Sequence, residues 1–343
     1  MSKTLQDALE EMAAKQPDRF TVPGHKGTLC PLDFTELGLR GELFPDTLVV
    51  DAEKETAKLY GVQNLFYLTH GSSLGIKAAL YRFKGKEVLY ADGVHRAFTE
   101  ACELWDIKKV PVGEERDGFD CAADAGVPPI TYEQAAHAIA THPNASALFI
   151  TSPDYMGRCA DRAIATFCKE KGVTLIVDAA HGAHFAFAPD LDEYRFETVA
   201  PLCNMSAHKT LAAYTQGAYL AAATEEAESV EKALRLLGTT SPNYLLLSSL
   251  SEAAKAAAGQ KNDYLRLKAF SEKMHEQNIC LPNQDYTRLC VTGRKYKGKA
   301  LFAYCTAHNV LPETAIGEWV VFVLTPYDNG AKLKRLENLL QQA

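Results

Sequence analysis

Between residues 64 and 210 the chain alternates short apolar, β-prone segments with stretches of helical spacing, and this rhythm limits its fold more than any other feature. The apolar segments cover 64–69, 87–90, 147–151, 175–177 and 198–205; the helical stretches between them run over about 76–83, 97–105, 131–140 and 161–172. Strands separated by helices cannot pair as hairpins, so the helices become crossovers and the strands become mostly parallel. The expected fold class is therefore α/β. At 343 residues the chain is long enough for one large domain of this kind and a smaller one. The expected division is an N-terminal arm over 1–50, a large domain over 51–240, and linking helices with a small α+β domain over 241–343. The small domain draws on strands near 288–292 and 319–324 and a helix near 299–308.

Turn and cap chemistry sharpens this outline. Leu5, Leu9, Met12 and Ala13 share one face of a helix over 4–16. Phe20 to Gly27 is rich in turn formers and reads as a loop. A helix over 51–60 stops at Gly61, and another that Asp161 caps stops at Gly172. Thr131 and Gln134 make a capping box. Residues 213–220 read as a strand and 224–237 as an amphipathic helix. Ser241 is the expected N-cap of a long helix, with Pro242 in its first position.

Composition excludes several classes. A net charge of −7 and a pI near 5.8 give no general attraction to nucleic acid or anionic membrane. Nine cysteines, an odd number without a C-x-x-C pair, indicate neither a disulfide framework nor a zinc ribbon, so no metal site is expected. The N-terminus has no signal-peptide apolar region, and no apolar run reaches the ~20 residues of a membrane helix. The expectation is a cytoplasmic protein with reduced thiols.

Chemistry concentrates at two strand ends. Asp178 closes the apolar Leu175-Ile176-Val177, and ligands of open α/β sheets bind at the carboxyl ends of strands. Lys209 follows the next apolar segment, inside Ser206-Ala207-His208-Lys209-Thr210. Pyridoxal phosphate needs a lysine amine for its Schiff base and an acid beside its pyridine nitrogen. Its phosphate needs hydroxyls and backbone N–H groups, which Gly71-Ser72-Ser73 offers between a strand and a helix. Taken singly, each element has a plain reading: a solvated lysine, a strand-capping aspartate, an N-cap, a histidine (His95) at a helix start. Their order along one chain is what a cofactor site requires.

With these motifs the chain resembles the ornithine/lysine/arginine decarboxylases of the aspartate-aminotransferase fold. The resemblance rests on Pro23-Gly24-His25-Lys26, Gly71-Ser72-Ser73, His95-Arg96, Ser152-Pro153-Asp154-Tyr155-Met156-Gly157, Asp178-Ala179-Ala180-His181-Gly182-Ala183-His184-Phe185, Ser206 to Thr210, and Thr240-Ser241-Pro242. It implies pyridoxal 5'-phosphate as cofactor and an amino acid as substrate. Lys209, His208 and His95 are the implied catalytic residues. Gly71, Ser72, Ser73, His95, Asp178, Ala180, His181, Ser206, His208, Lys209 and Ser241 are the implied cofactor-binding residues. Ser241 would reach the phosphate of a partner subunit, which implies a homodimer with shared sites. Polyamine biosynthesis is the implied context.

Three departures stand beside this resemblance. Ala179 replaces the usual acidic residue after the ring-pairing aspartate, Asp46 to Glu53 lacks the family's proline and glycine, and the chain stops at Ala343, where familiar members continue. Two other readings therefore stay open. One is an aminotransferase or another lyase, with Arg288 or Arg294 holding the substrate carboxylate. The other is a non-catalytic relative.

Overall fold

Seven strands build the main sheet: β1 (Asn64–Leu68), β2 (Glu87–Tyr90), β3 (Lys108–Pro111), β4 (Ala145–Thr151), β5 (Thr174–Asp178), β6 (Leu202–Met205) and β7 (Ala218–Ala222). Their spatial order is β1-β7-β6-β5-β4-β2-β3. The computed structural model describes residues 4–34, 46–113, 127–277 and 280–343, so residues 1–3 and 35–45 of the expected arm lie outside the described residues. The β2–β3, β2–β4, β4–β5 and β5–β6 pairs are parallel, and β7 runs antiparallel to both of its neighbours.

The pleat sorts side chains into two cores. Leu148, Ile150, Val177 and Tyr219 face one side, while Phe149, Ile176 and Leu220 face the other. Buried on both faces, β5, β6 and β7 read as nearly continuous apolar runs, as strands covered on both sides must.

Helices cover the sheet and the remaining chain. The first six are α1 (Leu5–Ala14), α2 (Asp46–Tyr60), α3 (Gly71–Leu80), α4 (Arg96–Leu104), α5 (Tyr132–Thr141) and α6 (Ala163–Lys171). They are followed by α7 (Ala207–Thr210), α8 (Thr224–Leu237), α9 (Tyr244–Ala258), α10 (Lys261–Glu276), α11 (Gly298–Ala307) and α12 (Gly330–Gln342). A second, antiparallel sheet joins β8 (Arg288–Val291), β9 (Thr314–Ile316) and β10 (Trp319–Val323) in the order β8-β10-β9. It packs its own core of Leu267, Leu289, Leu301, Val320 and Leu340 with α10, α11 and α12. No helix among the described residues is long and apolar enough to cross a membrane.

Four expectations need correction. Helix α2 starts at Asp46 rather than at 51, because 46–53 contains no proline or glycine to stop it. Helix α3 starts at Gly71 rather than near 76, so Gly71-Ser72-Ser73 is its first turn and not a loop before it. The strand expected over 213–220 forms at 218–222 instead; Gln216, at φ 79°, lies in the left-handed region and breaks the extended run. The N-cap of α9 is Asn243 rather than Ser241. Its side chain accepts the Leu246 N–H at 3.1 Å, and Pro242 precedes the cap. The Thr131–Gln134 capping box forms as expected, and the Asp161 carboxylate accepts the Ala163 N–H at the start of α6.

Candidate active site

The parallel pairing of β5 with β6 sets Asp178 directly beside Asn204. Asn204 Nδ2 donates to Asp178 Oδ1 at 3.0 Å, and the Ala180 N–H donates to the same oxygen at 3.2 Å. Among the described residues Oδ2 has no hydrogen-bond donor. Burial pushes the Asp178 carboxyl above its ordinary range, although Lys209, the Asn204 amide and His95 oppose that rise. Asn204 is itself pinned by α3, where a Cβ on Gly75 would stand 2.0 Å from Asn204 Oδ1. Only glycine lets the helix lie this close.

Lys209 sits in the short helix α7, immediately beyond β6. Its Nζ lies 3.2 Å from His181 Nε2, and the other ring nitrogen of His181, Nδ1, is met by an Arg288 guanidinium N–H at 2.6 Å. Arg288 comes from β8 of the second sheet and is only 2% exposed. Tyr155 packs its ring edge-on against His181 at 4.7 Å and donates its hydroxyl to Glu313 at 2.6 Å. Burial, reinforced by Lys209 and Arg288, holds the His181 imidazole well below its usual titration range.

One cavity gathers Ser72, His95, Asp178, Ala180, His181 and Lys209, all selected from the sequence. Gly71 and Ser73 flank Ser72 in the first turn of α3. The Gly71 N–H donates to the Gln216 carbonyl at 2.9 Å, which leaves the following amides as the open donors of that helix end. His95 caps α4, its Nδ1 accepting the Ala97 N–H at 3.2 Å, and burial lowers its pKa. Ser206 and His208 are not among the residues lining the cavity. Ser206 is fully buried with its hydroxyl 3.0 Å from His208 Nδ1, and that nitrogen also lies 3.2 Å from the Gly217 carbonyl. Burial lowers the His208 pKa. Ser241 is exposed and away from this cavity. The cavity also takes in Asp92, Val127, Pro128, Pro129, Thr151, Asp154 and Tyr155.

A buried carboxylate with one oxygen to which no described residue donates suits a protonated ring nitrogen, and a lysine amine on the same cavity suits an aldehyde. The first amides of α3 suit a phosphate. The residues present therefore fit pyridoxal phosphate. Sequence reading passed over Asn204, hidden in an apolar strand, and weighed Arg288 only as a carboxylate clamp. The signal for Asn204 was an amide inside a run that is otherwise buried and apolar.

Residues 32–290 match the family described as Orn/Lys/Arg decarboxylase, major domain. The chain belongs to that family. It is 25% identical over 340 residues to an arginine decarboxylase of Bacillus subtilis, covering 91% of this chain and 66% of that protein. A lysine decarboxylase of Francisella novicida superposes with a TM-score of 0.80 over 99% of this chain and 59% of its own, at 16% identity. A structure of SPT with PLP superposes with a TM-score of 0.70 over 99% of this chain and 84% of its own, at 15% identity. The chain thus spans less than two thirds of the length of these two decarboxylases. The fold is that of the fold type I, aspartate-aminotransferase-like enzymes.

Proposed function

We propose that this chain is a pyridoxal-phosphate-dependent decarboxylase of a basic amino acid, with ornithine, lysine and arginine as candidates. One observation carries the reading: Lys209, Asp178 and the first turn of α3 meet in one cavity, while Arg288 is turned to His181. An aminotransferase reading needs an arginine for the substrate carboxylate. Among the described residues no arginine lines the cavity, and Arg294 is exposed.

When bound, the cofactor supplies an electron sink for the bond broken at the substrate's Cα. The chain's residues then divide the remaining work. Lys209 would be the covalent anchor, Asp178 would hold the proton on the ring nitrogen, and His95 would face the ring. Ser72, Ser73 and the positive end of α3 would receive the phosphate. Val127, Pro128 and Pro129 give the substrate carboxylate an apolar wall that disfavours the anion and favours its loss as carbon dioxide. Lys209, facing the cavity, returns the proton to Cα in preference to His208, which is held against Gly217. Asp154, on the same cavity wall, is committed to Arg158 at 2.6 Å. In this reading residues 51–240 hold the cofactor, 241–343 close over it, and Ser241 serves the partner's phosphate in a homodimer.

The test is the visible absorption spectrum of the protein after incubation with pyridoxal phosphate, recorded for the parent and for Lys209→Ala. Absorption of the lysine-bound cofactor in the parent and its loss in the variant are expected. Each of the three amino acids is then supplied while evolved carbon dioxide is trapped. A colourless parent defeats the reading, and conversion of cofactor to its aminated form without carbon dioxide replaces it with transamination.

A further inference from the structure

We propose that Arg288 is a positioning residue that fixes the proton of His181 on Nε2 and through it holds Lys209 as a neutral amine. The proposal rests on the reading of Lys209 as the reactive amine. A guanidinium has donors only, so its 2.6 Å contact makes His181 Nδ1 an acceptor. A neutral imidazole must then carry its proton on Nε2, 3.2 Å from Lys209 Nζ. An N–H pointing at an amine needs a lone pair there, and an ammonium has none. The chain Arg288 to His181 to Lys209 therefore runs in one direction, and it ends on an amine ready to attack an aldehyde.

The surroundings support this assignment. His181 is 8% exposed, and burial beside the Arg288 guanidinium keeps it uncharged. Among the described residues, the charged and titratable groups around Lys209 include Asp178 from β5, His95 ahead of α4, His181, and its neighbour His208 in α7, with Asp92 and Asp154 on the cavity wall. These carboxylates favour an ammonium; Arg288 and its ordered imidazole oppose it. The arginine reaches this position because Gly157, at φ 82°, leaves room: a Cβ there would stand 2.7 Å from Arg288 Cβ. Its charge is balanced by Asp285, fully buried three residues earlier and held by His184 at 3.1 Å and Thr287 at 2.7 Å. Arg288 thus reaches the cavity's histidine from the second sheet.

Two measurements on the full cofactor-free chain test the proposal. Histidine nitrogen-15 spectra, with His181→Gln for assignment, should show His181 neutral with its proton on Nε2 near neutral pH. Competitive acetylation of Lys209 with acetic anhydride, followed by mass spectrometry across pH, should give a midpoint at least about one unit below the ~10.4 of a solvated lysine. Arg288→Met should raise that midpoint by about one unit or more, which is roughly tenfold slower labelling near pH 8. Arg288→Gln keeps an N–H for Nδ1 and should stay close to the parent. A His181 protonated on Nδ1, or an unchanged midpoint in a folded Arg288→Met, overturns the proposal. If Arg288→Met does not fold, the nitrogen spectra of the parent decide. Neither measurement uses cofactor or substrate, so failure here is distinct from failure of the decarboxylase reading.

Discussion

Replacing Glu53 with glutamine should stabilise the fold at alkaline pH and do much less at acidic pH. Glu53 projects from α2 into a cavity walled by Val49, Leu74, Leu234 and Leu247. Its Oε1 accepts the Tyr67 N–H at 2.8 Å, no cation pairs with it among the described residues, and Glu231 adds repulsion. Burial pushes its carboxyl from 4.5 up to about 7. Below 4.5 both the folded and the unfolded chain hold the proton, and Glu53 costs nothing. Between the two values the unfolded chain releases its proton first, so stability falls as pH rises. Above 7 the full penalty is present, about 3 kcal/mol at ~1.4 kcal/mol per unit. Glutamine keeps an acceptor for Tyr67 and does not titrate. Urea unfolding of both proteins near pH 5 and near pH 8.5 should therefore show the variant's relative stability rising by about 2.5 kcal/mol between the two conditions. Comparing two pH values removes any pH-independent cost of burying the amide. Equal effects at both would refute the assignment of a buried, uncompensated carboxylate.

Gly157→Ala forces a side chain onto a backbone at φ 82° and a Cβ within 2.7 Å of Arg288 Cβ; thermal unfolding should report a loss of about 2–4 kcal/mol, and a change under about 0.5 kcal/mol would remove Gly157 as the spacer between the sheets. Asn243→Ala should cost about 1 kcal/mol through loss of the α9 cap. Ser241→Ala should stay within about 0.5 kcal/mol in the same denaturation assay, and the reverse order would return the cap to Ser241.

Which parts of the molecule were readable depended on how local their causes are. The parallel core of the main sheet follows from apolar runs such as Leu148 to Ile150 and Leu175 to Val177 separated by helices, and each run is visible in a short window. The reversal of β7 is not, because nothing within Ala218 to Ala222 states a direction; that is set by the turn at Gln216 and the space between β1 and β6. Asp178 and Lys209 were legible because strand ends are where such sheets place chemistry. Their supporting groups were hidden for different reasons. Asn204 lies within a buried strand, and Arg288 is 107 residues from the imidazole it orders. Ser241 looked like a cap because serine before proline is a strong local signal, yet the helix starts two residues later, where Asn243 accepts the Leu246 N–H.

The pairing of Asp178 with Asn204 has a consequence for how this protein can change. The lateral position of the carboxylate relative to the lysine strand is dictated by the spacing of a hydrogen-bonded ladder, about 4.8 Å per strand. The excursion over 179–201 that joins the two strands contributes nothing to that spacing. Lineages can lengthen its exposed turns, at Asp192-Glu193 and Thr198-Val199, without disturbing the distance between acid and amine; buried His184, Phe185 and Phe196 do not share that freedom. The four residues from Met205 to His208 have no such freedom. One residue added or lost there would swing Lys209 by about 100° around its short helix and out of the cavity. Variation should accumulate in those exposed turns and halt at the strand end.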